Sequence, residues 1–167
     1  MRKIALVFVV LLALYAPWRL IVLGVESCFL TPGYVRTESG HDHYWEAKNL
    51  AMRLEQLGWT VTYQANLVEE HGALGLTRFS DRTITIEDTL SWNERYSILA
   101  HEGAHTLQPV RMTGGQKEVF AEAVSLLVMQ NGYREHARYL SSMRADVFTV
   151  LLTEWPAIYR TATMLRE

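Results

Sequence analysis

Residues 91 to 109 can fold in essentially one way. Ser91-Trp92-Asn93-Glu94 puts a serine at an N-cap position and a glutamate three residues on, the pairing of a capping box, and Pro109 stops the helix that follows. The spacing therefore predicts a helix from Ser91 to about Leu107. Inside it stands His101-Glu102-Gly103-Ala104-His105, the H-E-x-x-H pattern. Positions i and i+4 of a helix share a face, so two imidazoles at that spacing can hold one tetrahedral zinc while the glutamate between them reaches a water on the metal.

A catalytic zinc needs a third protein ligand and one open position. Glu118 and Glu122 answer the first need, on a helix that Gly114-Gly115 opens and that runs from about Gln116 to Gln130. Its buried stripe is expected to be Val119, Phe120, Ala123, Val124, Leu127 and Val128. Two carboxylates at i and i+4 repel unless a cation or hydrogen bonds compensate them. Solvated glutamates on an outer face are the ordinary state of such a pair. Here a His-x-x-x-His helix lies just upstream, with a Gly-Gly turn to fold one helix onto the other, and the metal reading overtakes the ordinary one. Both glutamates lie on one helical face, so the spacing allows either to be the ligand.

Around these helices the pattern is α+β. Tyr44, Ala47, Leu50, Ala51, Leu54 and Leu57 recur at helical spacing between about His43 and Leu57, with Gly58 at the C-terminal cap. Trp59 to Tyr63, Ala73 to Phe79 and Arg82 to Glu87 read as three short strands, expected to form a small antiparallel sheet. One or two further helices fill Arg134 to Arg166, with Pro156 marking a kink or a break. The chain of 167 residues is one domain's worth, and its 49% apolar content excludes a disordered chain. Sixteen Lys and Arg against eighteen Asp and Glu leave no basic face, so no nucleic-acid partner is expected. Cys28 is the single cysteine, which excludes an internal disulfide framework and any Cys-rich zinc module.

The N-terminus is a separate element. Met1-Arg2-Lys3 precedes an apolar run from Ile4 to Val25 that is interrupted by Pro17 and Arg19. This reads as a membrane anchor or signal sequence over residues 1–25; poor small-x-small pairs at possible cleavage sites favour an uncleaved single-pass helix about long enough for a bilayer. Positive charge before the run places the N-terminus inside and the domain outside the cytoplasm. A hydrophobic helix packed on the domain or lying on a membrane surface is the alternative. Residues 26–42, with Pro32 and two glycines, form a linker to the domain at 43–167.

Ile98 to His105, followed by Glu118-Val119-Phe120-Ala121-Glu122-Ala123, resembles the gluzincin metallopeptidases of the ImmA/IrrE class and the related metallopeptidase domain of ArdC-like antirestriction proteins. The resemblance runs from about Gly72 to Met143 and includes Ile84 and Ile86 in the strand before the zinc helix and Tyr139-Leu140-Ser141-Ser142 after it. It implies a zincin-like fold with Glu118 as third ligand. Glu122 then takes the outer acid position that holds a ligating histidine by its other ring nitrogen. Nothing like residues 1–25 accompanies the peptidase in those members of the family that carry a DNA-binding module, so repressor cleavage is not carried over.

The expected activity is hydrolysis of peptide bonds in a peptide or protein substrate. Zn2+ on His101, His105 and Glu118 would activate a water, Glu102 would act as general base, and His136, or Tyr133 or Tyr139, would steady the oxyanion. The strand Arg82 to Glu87 is the expected edge for an extended peptide. The alternative is a zincin-fold binding or antirestriction-type module with little proteolysis, against which Glu102 argues, because holding zinc does not require that carboxylate. His41, Asp42 and His43 are consecutive and are read as surface residues at a helix start, with Asp42 as the cap. His71 is read as a loop residue. Cys28 is neither a lipobox cysteine nor an evident nucleophile.

Overall fold

The structure is a computed structural model that describes residues 43–129 and 144–167, the side chains of 144–148 excepted. The N-terminal apolar run, the linker, His41, Asp42, Cys28, Tyr133, His136 and Tyr139 lie outside the described residues. Among the described residues no helix is long and apolar enough to cross a membrane.

The first helix, α1, spans Tyr44–Gln56, and its apolar spacing buries Ala47, Leu50, Ala51 and Leu54 on one side. Strand β1 (Thr60–Gln64) follows, then a short helix α2 (Leu67–His71), strands β2 (Gly75–Arg78) and β3 (Thr83–Glu87), and the capped helix α3 (Trp92–His105). Helices α4 (Gly114–Met129) and α5 (Arg144–Arg166) complete the domain. Pro156 sits inside α5 without dividing it.

The sheet is mixed, which corrects the antiparallel expectation. Its order is β1-β3-β2, with β1 parallel to β3 and β2 antiparallel to β3. The reason lies in the connection 65–74. Gln64 at the end of β1 is level with Glu87, and Gly75 at the start of β2 is level with Ile86. The chain therefore crosses the end of β3's lane, descends as β2, and turns tightly into β3, which slots between the two earlier strands. Residues 82–87 were expected to offer a free edge, and they do not: β3 is the central strand. Its residues Ile84, Thr85, Ile86 and Glu87 are all buried, as a strand covered on both faces requires.

Glu87 locks the crossing connection in place. Its carboxylate accepts from the backbone N–H of Val68 at 3.3 Å, and from the N–H and hydroxyl of Thr89 at 3.3 and 3.0 Å. Burial alone would raise this carboxyl, but the bonds from Thr89, Val68 and Leu67 outweigh it and hold the group below the ordinary carboxylate value. Helix α2, which the sequence analysis does not include, receives this contact in its first turn. His71 therefore ends a helix instead of lying in a loop, exposed and 3.9 Å from Glu70.

The helical half is layered on α4. Val119, Phe120, Ala121, Ala123, Val124, Leu126 and Val128 are buried around most of its circumference, while Leu127, expected in the buried stripe, is only half-buried. A helix buried on nearly all sides is the middle of a stack, and α4 packs on α3 on one side and on α5 on another. Helix α3 begins where the sequence places it. The Ser91 hydroxyl accepts the Glu94 N–H, and the Glu94 carboxylate accepts the Ser91 N–H at 2.9 Å. A cap of this kind contributes about 1 kcal/mol, and it sets the rotational phase of everything downstream on the helix.

Candidate metal centre

One turn of α3 presents three faces with three duties. Gly103 and Ala104 turn inward, and a Cβ on Gly103 would stand 3.1 Å from a Leu54 methyl and 3.6 Å from Leu165, so the missing side chain lets α1 and α5 close on the helix. Glu102 turns toward β2. His101 and His105 turn toward α4 and line a cleft of about 890 Å³ together with Leu74, Leu76, Phe79, Ile98 and Lys117.

The two imidazoles stand 4.9 Å apart between ring centres, with planes at 78°. Each is held from behind. His101 Nδ1 is 2.9 Å from Glu122 Oε2, and His105 Nδ1 is 2.9 Å from Gln108 Oε1. The Nε2 atoms consequently face one another at 3.2 Å. Glu118 reaches over this pair, one oxygen 3.4 Å from His101 Nε2 and the other 3.6 Å from His105 Nε2. His101, His105 and Glu118 offer ligand atoms all within 4.8 Å of one another, and the group could hold a metal ion.

The two glutamates that spacing alone leaves equivalent are separated by their surroundings. Glu118 is part-exposed in the cleft, its side chain 40% accessible, whereas Glu122 is buried at 4% behind the His101 ring. A solvated pair on an outer face is not what the chain builds. Glu102 is also buried, and its Oε2 accepts the Thr77 hydroxyl from β2 at 2.7 Å. Gly75, two residues earlier on β2, lies so close to α3 that a Cβ there would be 2.5 Å from Ile98 Cγ2 and 2.7 Å from Glu102 Cγ.

Two contacts escaped the sequence reading. Gln108 follows His105 by three residues, about one helical turn, so the i, i+3 relation was a signal that pointed to it. Thr77 had none, because its meeting with Glu102 depends on how β2 lies across α3. Of the other expected site residues, His136 lies outside the described residues. His43 caps the start of α1, its N–H bonded to Asn93 Oδ1 at 3.2 Å and its ring 5.4 Å from that of Tyr96, so it is far from being a spare ligand.

The charges of the metal-free site have a pH signature. Burial would lower the His101 pKa, but hydrogen bonds to Glu118 and Glu122, with the charges of Glu102 and Glu122, raise it from 6.5 to about 9. Glu118 moves the other way, below 4.5, chiefly through its bond to His101. A raised histidine contributes stability that is complete below 6.5 and lost as pH climbs through about 9. A lowered carboxylate contributes above 4.5 and is lost as pH falls below it. Thermal unfolding of the chelator-treated protein should therefore show its highest midpoint between these limits, falling on the alkaline side through about pH 9 and again in acid. A midpoint that stays level from about pH 6 to about pH 10 would show that no charged His101 stabilises the fold.

No protein-family model, curated protein or solved structure matches this chain, so the functional reading stands on the geometry of the site itself.

Proposed function

We propose that the domain is a zinc-dependent peptidase, with zinc held by His101, His105 and Glu118 and with Glu102 as general base. One observation carries the reading. Nitrogen and oxygen donors about 2.0–2.2 Å from a tetrahedral zinc lie about 3.3–3.5 Å from each other. The Nε2 atoms are 3.2 Å apart, one Glu118 oxygen is 3.4 Å from His101 Nε2 and the other is 3.6 Å from His105 Nε2, so the three side chains converge near that spacing, with one ligand atom from each within 4.8 Å of the others. The donor set of two imidazoles and one carboxylate suits zinc, and all three residues line the cleft.

A zinc there supplies Lewis acidity, acidifying a bound water and polarising a carbonyl. The chain's own residues do the rest. Glu102 stands on the same helical turn, its carboxylate oriented through Oε2 by the Thr77 hydroxyl, to take a proton and return it to the leaving amine. Glu122 keeps the His101 ring turned so that Nε2 faces the cleft. Leu74, Leu76 and Phe79 give the cleft an apolar wall. Among the described residues β2 is the edge strand that lines the cleft, which supports pairing of an extended substrate segment with β2 and not with β3.

The full-length protein, purified without chelator, should carry about one zinc per chain or take it up on titration. His101→Ala and His105→Ala should each remove most of that metal, since a catalytic site keeps only three protein ligands. A wild-type protein that neither holds nor acquires zinc would end this reading.

A further inference from the structure

We propose that Gln108 is a positioning residue of this metal centre, fixing the proton of His105 on Nδ1 so that Nε2 presents its lone pair to the ion. The proposal rests on the metal reading above and adds a residue to it. A neutral imidazole carries its proton on one ring nitrogen, and the hydrogen bond made by the other side decides which. Gln108 Oε1 lies 2.9 Å from His105 Nδ1 and, being a carbonyl oxygen, can only accept. An amide nitrogen in the same place would force the proton onto Nε2, aimed at the ion.

Local structure holds Gln108 where it is needed. Beyond α3 the chain stays wound for another turn: Thr106 N–H and hydroxyl both bond to the Gly103 carbonyl, at 3.2 and 2.6 Å, and Leu107 N–H bonds to Ala104 at 3.1 Å. Pro109 then bars continuation. The Gln108 side chain is left one turn beyond His105, folded back on its ring and lining the cleft.

The two histidines are thus held by unlike partners. His101 leans on a buried carboxylate and His105 on a neutral amide. Counted formally, the carboxylates of Glu102, Glu118 and Glu122 already exceed the charge of one divalent ion by one, and a carboxylate at 108 would add another negative charge. Position 108 accordingly needs an acceptor, and the amide supplies one without that charge.

Zinc competition titrations against a chromophoric chelator, on full-length protein at one pH, test this. Gln108→Leu keeps the bulk and removes the acceptor, and it should weaken zinc binding by about 10- to 100-fold. Gln108→Glu restores an acceptor and should bind within about threefold of wild type or tighter, since the partner's task is acceptance. A purely structural Gln108 predicts something else: both variants would lower the melting temperature of the metal-free protein, and Gln108→Glu would not rescue affinity. Wild-type affinity in Gln108→Leu, or an affinity in Gln108→Glu as weak as in Gln108→Leu, overturns the proposal while leaving the metal centre standing. Absence of zinc binding in the wild type overturns both. Should Gln108→Leu fail to fold, Gln108→Glu decides alone, a loss of tenfold or more counting against acceptance.

Discussion

Glu102→Gln is expected to leave zinc content and fold unchanged and to reduce peptide hydrolysis by about 10²- to 10⁴-fold, the usual contribution of a positioned general base. The amide matches the carboxylate in shape, and its oxygen can still accept the Thr77 hydroxyl that lies 2.7 Å from Glu102 Oε2. What it cannot do is take a proton. Because Glu102 is not among the residues that could hold the ion, metal affinity and turnover should separate cleanly in this variant. The comparison is made on a mixed peptide library, scoring cleavage by wild type and variant at equal zinc occupancy. Near-wild-type cleavage by Glu102→Gln would remove Glu102 from the chemistry. A zinc-loaded wild type that cleaves nothing in the library would favour the binding-module alternative, in which the same three ligands serve a structural ion.

The second large effect distinguishes Glu118 from Glu122. Glu118→Ala should remove most zinc affinity, because its oxygens are the carboxylate atoms that face both Nε2 nitrogens. Glu122→Ala should leave an occupied but weaker site, by about 10- to 100-fold, because Glu122 meets the His101 ring at Nδ1, the nitrogen away from the ligand face. Glu122→Gln, which keeps an acceptor in the buried position, should lose less than Glu122→Ala. The measurement is again a zinc titration at fixed pH. An empty site in Glu122→Ala beside a merely weakened one in Glu118→Ala would reverse the assignment, and with it the rotational setting of α4.

The sequence was legible where chemistry is local. The capping box at Ser91 and the stop at Pro109 delimit α3 within two residues, since both act through neighbours along the chain. The i, i+4 relation of His101 and His105 needs nothing but helical geometry. Sheet topology was not legible, because the parallel pairing of β1 with β3 depends on the path of residues 65–74, and that path is held by Glu87 across the sheet. Helix α2 was missed for the same reason. Asn66, ahead of it, is a residue type that often starts helices, but here it is left-handed with no side-chain cap, and a helix of five residues is too short to show an apolar period. Spacing alone leaves Glu118 and Glu122 equivalent; their different burial, one in the cleft and one behind the His101 ring, depends on how α4 packs on α3 and so is not written in the local sequence.

Gly75 ties two events that a chemist would treat separately. At this residue the strand comes so near α3 that a methyl group would occupy space already taken by Ile98 and Glu102. Two residues along, the same strand grips the carboxylate through Thr77. The outer edge of β2 and the Glu102 carboxylate are therefore joined through one short stretch of strand. A ligand that drew the strand outward would lengthen the Thr77–Glu102 bond, and one that seated it would hold that bond short. In the proposed peptidase, recognition would register at Glu102 before any bond is strained, and the fidelity of a cut would be set by how well the strand is seated as much as by the shape of the cleft.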